Sequence, residues 1–234
     1  MFDYQPGPDR NQEINLAGIS TKIENLDNIW KEKTTSDLDS ESVNLAHRFH
    51  WLLEEIARNA SVSDIKRFYE IIITWSKSSY DHMNSIAFSP YNTSERICNL
   101  TVFSCIAYKH GCINQESYKT IKRLIQNDLA RLETTLEYPA SGKINNHILN
   151  NARALYIGGA FINSAHSMKI ARSIFERHLP EMISDNGYLS ESSSHYQFLL
   201  TKNMQEVSIF ATACEDYGFQ EFINQELLLV MLVK

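Results

Sequence analysis

From Val43 to the end of the chain, apolar side chains recur at helical spacing with hardly a break, and this periodicity limits the possible folds more than any other feature. In "SVNLAHRFHWLLEEIARNA" the residues Leu45, Phe49, Leu52, Leu53 and Ile56 fall on one stripe, which predicts a single helix. "SVSDIKRFYEIIITWSKSS" follows with Ser61 or Ser63 as its N-cap. "TSERICNLTVFSCIAYKHG" should end at Gly111, and "NQESYKTIKRLIQNDLARLETTL" should begin at Asn114. "NNHILNNARALYIGGAFI", "SMKIARSIFERHLPEMI", "SHYQFLLTKNMQEVSIFATACEDYG" and "FQEFINQELLLVMLVK" continue the pattern. Strand signals are sparse, and the one hairpin-like turn is "DNGYL" at 185–189. About eight helices of roughly 15–20 residues joined by short loops predict an all-α fold of antiparallel helical hairpins. No exact repeat is visible.

Residues 1–42 differ from the rest. They are polar and turn-rich, with Trp30 as an aromatic anchor, and form a lead-in to a helical domain spanning 43–234. The start of the chain has neither a basic nor an apolar region of the signal-peptide kind, which by itself predicts a cytoplasmic protein. The longest apolar run, "ELLLVMLV", is far short of the roughly 20 residues that span a bilayer, so no membrane span is expected. A net charge of -6 argues against duplex nucleic acid as a partner but leaves room for an anionic ligand in a locally positive cleft. Cys98, Cys105 and Cys112 recur every seventh residue and should share one buried helix face; with Cys214 they make neither a disulfide scaffold nor a zinc set. No metal or cofactor is called for.

Three polar stretches interrupt the apolar pattern. In "INNHILNNARAL" (144–155), Ile148, Ala152 and Leu155 make an apolar stripe widened by Leu149 and Tyr156. Asn146, Asn150 and Arg153 line the opposite side, with His147 and Asn151 beside them. Either this is a solvated face capped by Asn145, or it faces something polar. In "SDNGYLSESSSHYQFLL" (184–200), His195 and Tyr196 sit near the first turn of a helix, after a turn carrying Glu191. In "FSPYNTSERICNL" (88–100), Tyr91, Ser94 and Arg96 open a helix, where the arginine can clamp a carboxylate or hold a loop.

In order along the chain stand Trp75, Pro90-Tyr91 with Ser94, Arg96-Ile97 and Asn99, then Asn146-His147 through Leu155, then Asp185, Gly187, Glu191, Ser193 and Tyr196. This order resembles the heparinase II/III-like polysaccharide lyases over about residues 45–217. The resemblance implies an incomplete (α/α) toroid followed by an antiparallel β-sandwich domain. Only the toroid part is present here, so the family pattern leads one to expect a truncated chain, inactive without its β-domain. It also implies cleavage of uronic-acid polysaccharides by β-elimination. Asn146 and His147 match the positions that neutralise the uronate carboxylate, and Tyr196 matches the general acid, which in some members is also the base. His147, Arg96 and Arg153 would favour the tyrosinate. Tyr91, Arg96, Asn150, Glu191 and His195 would contact substrate, and the partner would be an acidic polysaccharide such as a glycosaminoglycan or alginate. Family members are often periplasmic or secreted.

The chain departs from the family in three ways. Many members have glutamate where Asn150 stands. Many have arginine and histidine where this chain has Ser192 and Gln197. Another catalytic histidine or tyrosine usually comes from the β-domain. The alternative function is a carbohydrate-binding or interaction module that keeps the groove without catalysis.

Overall fold

A computed structural model of the chain describes residues 13–16, 19–22, 30, 40–79, 86–138, 145–184, 187–188 and 194–231. It is overwhelmingly helical, as the periodicity requires. One feature differs from the sequence reading: Glu13–Leu16 (β1) and Ile19–Lys22 (β2) pair as a short antiparallel hairpin. The alternation in "EINL" and "ISTK" is too brief to stand out from the polar lead-in around it. Trp30 is buried, as an anchor should be. The expected turn at 185–189 lies largely outside the described residues. At its described part, Gly187 has a φ of +79° and Ser184 donates to the Tyr188 carbonyl.

The chain forms two compact units, residues 1–125 and 126–234. In the first, α1 (Ser40–Arg48) and α2 (His50–Ala57) pack on α4 (Pro90–Lys109), with α3 (Val62–Ser79) and a 3-10 turn at Ile86–Phe88 between them in sequence. The single helix expected across residues 42–60 is broken at Phe49, whose backbone is left-handed (φ 58°, ψ 23°). A bulky residue in that region is strained by about 1–3 kcal/mol. The break is held because Phe49 is fully buried, edge-on to the rings of Trp51 and Trp75. The other helix boundaries follow the expected chemistry. Ser61 and Asp64 form a reciprocal capping box at the start of α3, and Ser89 caps α4. Gly111 is left-handed just past α4. Asn114 accepts from Ser117 at the start of α5 (Gln115–Leu132). Of the three cysteines expected on one buried face, Cys98 and Cys112 are buried but Cys105 is exposed. Burial of α4 on nearly all sides stops at about Ser104, and Cys112 lies in the turn beyond the helix.

The second unit contains two helical hairpins. α6 (Asn146–Ile162) turns back into α7 (Ala165–Met182) through Asn163 and Ser164; Asn163 is left-handed and Ser164 caps α7. α8 (Ser194–Ala213) turns back into α9 (Tyr217–Met231). α6 packs on α8 and α7 on α9. α6 and α7 approach closely at Gly159, where a Cβ would lie 3.1 Å from side-chain carbons of Ser167 and Met168. The Tyr156 hydroxyl donates to Asp216 at 2.7 Å, and Arg172 of α7 pairs with the same carboxylate. Burial first, and the Asp216 carboxylate second, push the Tyr156 phenol well above its usual range. It therefore acts as a neutral tie between α6 and the turn after α8.

Candidate functional site

The site is built on the first half of α6. Asn145 is extended (φ −127°, ψ 172°) and its side chain accepts from the His147 amide at 3.2 Å, so one of the six residues in the polar run is the N-cap. The stripe Ile148, Leu149, Ala152, Leu155 and Tyr156 is buried, as expected. On the opposite face Asn146 and His147 are part-exposed, but the residues beyond them are not. Asn150, Asn151 and Arg153 are 1%, 0% and 2% exposed. Burying two amides and a guanidinium is costly unless each is bonded, so their partners decide what the face is for.

Arg153 donates through Nε to Glu206 of α8 at 2.7 Å and through an Nη to Asn150 Oδ1 at 2.8 Å. Lys202 approaches the other Glu206 oxygen at 3.8 Å. The Arg153–Glu206 and Tyr156–Asp216 bonds together tie α6 to α8 and to the turn after it. Tyr196 lies in the first turn of α8. It is 40% exposed, and its ring is 5.7 Å from that of His195. The Asn150 Nδ2, by contrast, is buried and has no hydrogen-bond partner among the described residues.

A second set of contacts joins α6 to the segment before it. The Glu137 amide donates to Asn151 Oδ1 at 2.9 Å, and Asn151 Nδ2 donates back to Glu137 Oε2 at 3.3 Å. The other Glu137 oxygen lies 3.4 Å from His147 Nδ1. Next to Glu137, Tyr138 is half exposed and sits edge-on to His178, whose Nδ1 is 3.2 Å from Glu181. Neither Glu137 nor Tyr138 is flagged by sequence; the only signal is a carboxylate–aromatic pair shortly before the asparagine run.

Tyr91 and Arg96 belong to the first unit and have a different setting. Arg96 is fully buried. It donates to the carbonyls of Ala87 at 2.6 Å and His47 at 3.4 Å, and its guanidinium lies over Trp75 at 4.5 Å and Phe88 at 5.3 Å. Beside it, Asn99 donates to the Arg48 carbonyl at 2.9 Å. The chain break at Phe49 leaves the last carbonyls of α1 in need of donors, and these two side chains of α4 supply them. A guanidinium so placed holds the fold rather than facing a ligand. Tyr91 packs under Arg48 at 4.9 Å, and Arg48 also pairs with Glu41. Glu191 lies outside the described residues. Among the described residues, no group of three His, Cys, Asp or Glu side chains could hold a metal ion, and no helix is long and apolar enough to cross a membrane.

No protein-family model matches the chain, and neither a curated protein nor a solved structure does.

Proposed function

We propose that the chain is the helical part of a heparinase II/III-like polysaccharide lyase that cleaves a uronic-acid-containing polysaccharide by β-elimination. The observation that carries this reading is the Asn150 amide. Its oxygen is fixed by Arg153, so its Nδ2 is a buried donor without an acceptor among the described residues, a state that costs about 1–3 kcal/mol. An oxygen-rich acidic ligand would remove that cost. Two further features support the reading. Hairpins α6/α7 and α8/α9 stack first helix on first and second on second, as successive hairpins of an (α/α) toroid would. Asn146 and His147 open α6, the exposed Tyr196 opens α8, and these two helices pack on each other.

In this mechanism Asn146 and His147 donate to the uronate carboxylate as negative charge grows on it, in the manner of an oxyanion hole. A base removes the proton at C5. That electron pair becomes the C4–C5 double bond, the C4–O bond breaks, and the Tyr196 hydroxyl delivers a proton to the departing oxygen. Arg153 is already matched by Glu206, so its part is to hold Asn150 in place rather than to neutralise substrate.

The test is the ultraviolet absorbance of unsaturated uronates when the chain, alone and joined to a β-sandwich domain, is incubated with heparan sulfate, hyaluronan, chondroitin and alginate. Asn146→Ala and Tyr196→Phe should each abolish product while the far-ultraviolet circular dichroism is unchanged. A normal rate in either variant removes that residue from the mechanism. The exposed aromatic rings of Tyr138, Tyr188, Tyr196 and Phe198 favour a second reading, a carbohydrate-binding module whose rings stack on sugars. Binding of these polymers without any absorbance change from either form would select it.

A further inference from the structure

The Glu137–Asn151–His147 contacts fix more than a loop. Asn151 has only one orientation that fits, because its oxygen is committed to the Glu137 amide. Its Nδ2 therefore needs an oxygen at the Oε2 position of Glu137, and Glu137 supplies one. The remaining oxygen, Oε1, then faces His147 Nδ1 at 3.4 Å. A carboxylate has only acceptors to offer, so a hydrogen bond between the two calls for a proton on Nδ1. Free imidazole prefers the opposite tautomer, with the proton on Nε2. Asn151 is fully buried on α6, four residues along the helix from His147, so carboxylate and ring are referenced to the same rigid element.

We propose that Glu137 is the positioning residue of His147: it keeps the proton on Nδ1 and so makes Nε2 the nitrogen that takes up a proton when an acidic ligand arrives. The imidazolium then lies between two carboxylates, that of Glu137 at Nδ1 and that of the ligand at Nε2. This stabilises the charged ring and aims one N–H at the ligand. The role in turnover rests on the lyase reading given above. The placement of the proton on His147 does not.

Glu137→Gln tests the idea sharply. Asn151 still demands an oxygen, so the new amide must turn its NH2 group toward His147 Nδ1. A donor there forbids the Nδ1–H form and drives the proton to Nε2. With uniformly 15N-labelled chain, the ring nitrogens of His147, assigned by its loss in His147→Gln, should show a protonated Nδ1 in the native protein. They should show a protonated Nε2 in Glu137→Gln, with amide spectra otherwise nearly superimposable. Glu137→Asp, which keeps the carboxylate, should retain the native tautomer. A native ring protonated on Nε2, or a Glu137→Gln ring that keeps Nδ1–H in a folded chain, overturns the proposal.

The same variants separate the two layers of the argument. On a polymer the native chain cleaves, Glu137→Gln should lose about tenfold or more in kcat with little change in KM, and Glu137→Asp should recover part of it. Full activity in Glu137→Gln with a flipped tautomer means that the proton placement is right and its catalytic role wrong. Absence of product from the native chain both alone and joined to a β-sandwich domain, with the tautomer result as expected, sinks the lyase reading and leaves the Glu137–His147 relation standing.

Discussion

Arg96 and Arg153 sit on the helices that are buried on nearly every side, one in each unit, and both are almost without solvent exposure. The contacts around Arg96 include the carbonyl oxygens of Ala87 in the 3-10 turn and His47 near the end of α1, and the faces of two aromatic rings. Those around Arg153 are a carboxylate that is 31% exposed and an amide with an unsatisfied donor. The first is a closed strut and the second an open network. Two arginines that look alike in sequence and burial therefore differ in setting, and the difference lies in whether the hydrogen-bond chain ends on backbone carbonyls or on a part-exposed carboxylate and an amide with an unmet donor.

The contrast can be broken most directly at Arg96. Arg96→Met should destabilise the first unit by about 3–5 kcal/mol, because two backbone carbonyls lose a buried donor and two rings lose their cation. Denaturant unfolding measures this; a loss below about 1 kcal/mol would mean that Arg96 is not the strut described. Arg153→Met should cost less, about 2–4 kcal/mol, since Glu206 can turn toward water, and Glu206→Gln less again. Equal losses at the two arginines would erase the distinction between closed and open networks.

His47 sharpens it further. Its Nδ1 accepts from Trp75 Nε1 at 3.0 Å, and burial first, then the Arg96 charge, lower its pKa to about 3. In the unfolded chain the ring titrates near 6.5, so the unfolded state takes up the proton first. Stability present above pH 6.5 is then lost as pH falls toward 3, by about 2–3 kcal/mol between pH 6.5 and 4. His47→Gln keeps an acceptor for Trp75 and should flatten that slope; an unchanged slope would assign the acid sensitivity elsewhere. The smallest effect belongs to Asn163→Gly. The residue is already left-handed (φ 63°) at the end of α6, so the change in unfolding free energy should stay within about 0.5 kcal/mol.

Local chemistry was readable in advance and long-range chemistry was not. Asn145, Ser61, Gly111 and Asn114 each act within three residues of themselves, and their capping roles follow from residue type. The break at Phe49 lies inside an unbroken apolar stripe and is set by Trp75, far along the chain. Spacing placed Asn146, Asn150 and Arg153 on one face, but only the packing of α8 shows that the lower part of this face is buried. For Arg96 residue type allows both a carboxylate clamp and a loop-holding role, because the carbonyls it serves, of Ala87 and His47, lie in a turn and a helix end that the sequence does not mark. Glu137 was missed for the same reason: its bond to His147 follows from how Asn151 is turned, and no spacing rule encodes that.

The Arg153–Glu206 tie spans 53 residues, whereas α6 and α7 are joined by a two-residue turn. Hairpins with short closures tend to assemble early, and distant pairings later. During folding, then, Arg153 must keep its water until α8 arrives, and α6 cannot dry out on that side ahead of it. A charge awaiting its counterpart works as a checkpoint on the order of assembly. Pulsed hydrogen exchange should find the amides around Arg153 protected only together with those of α8, after the far side of the α6/α7 hairpin has closed.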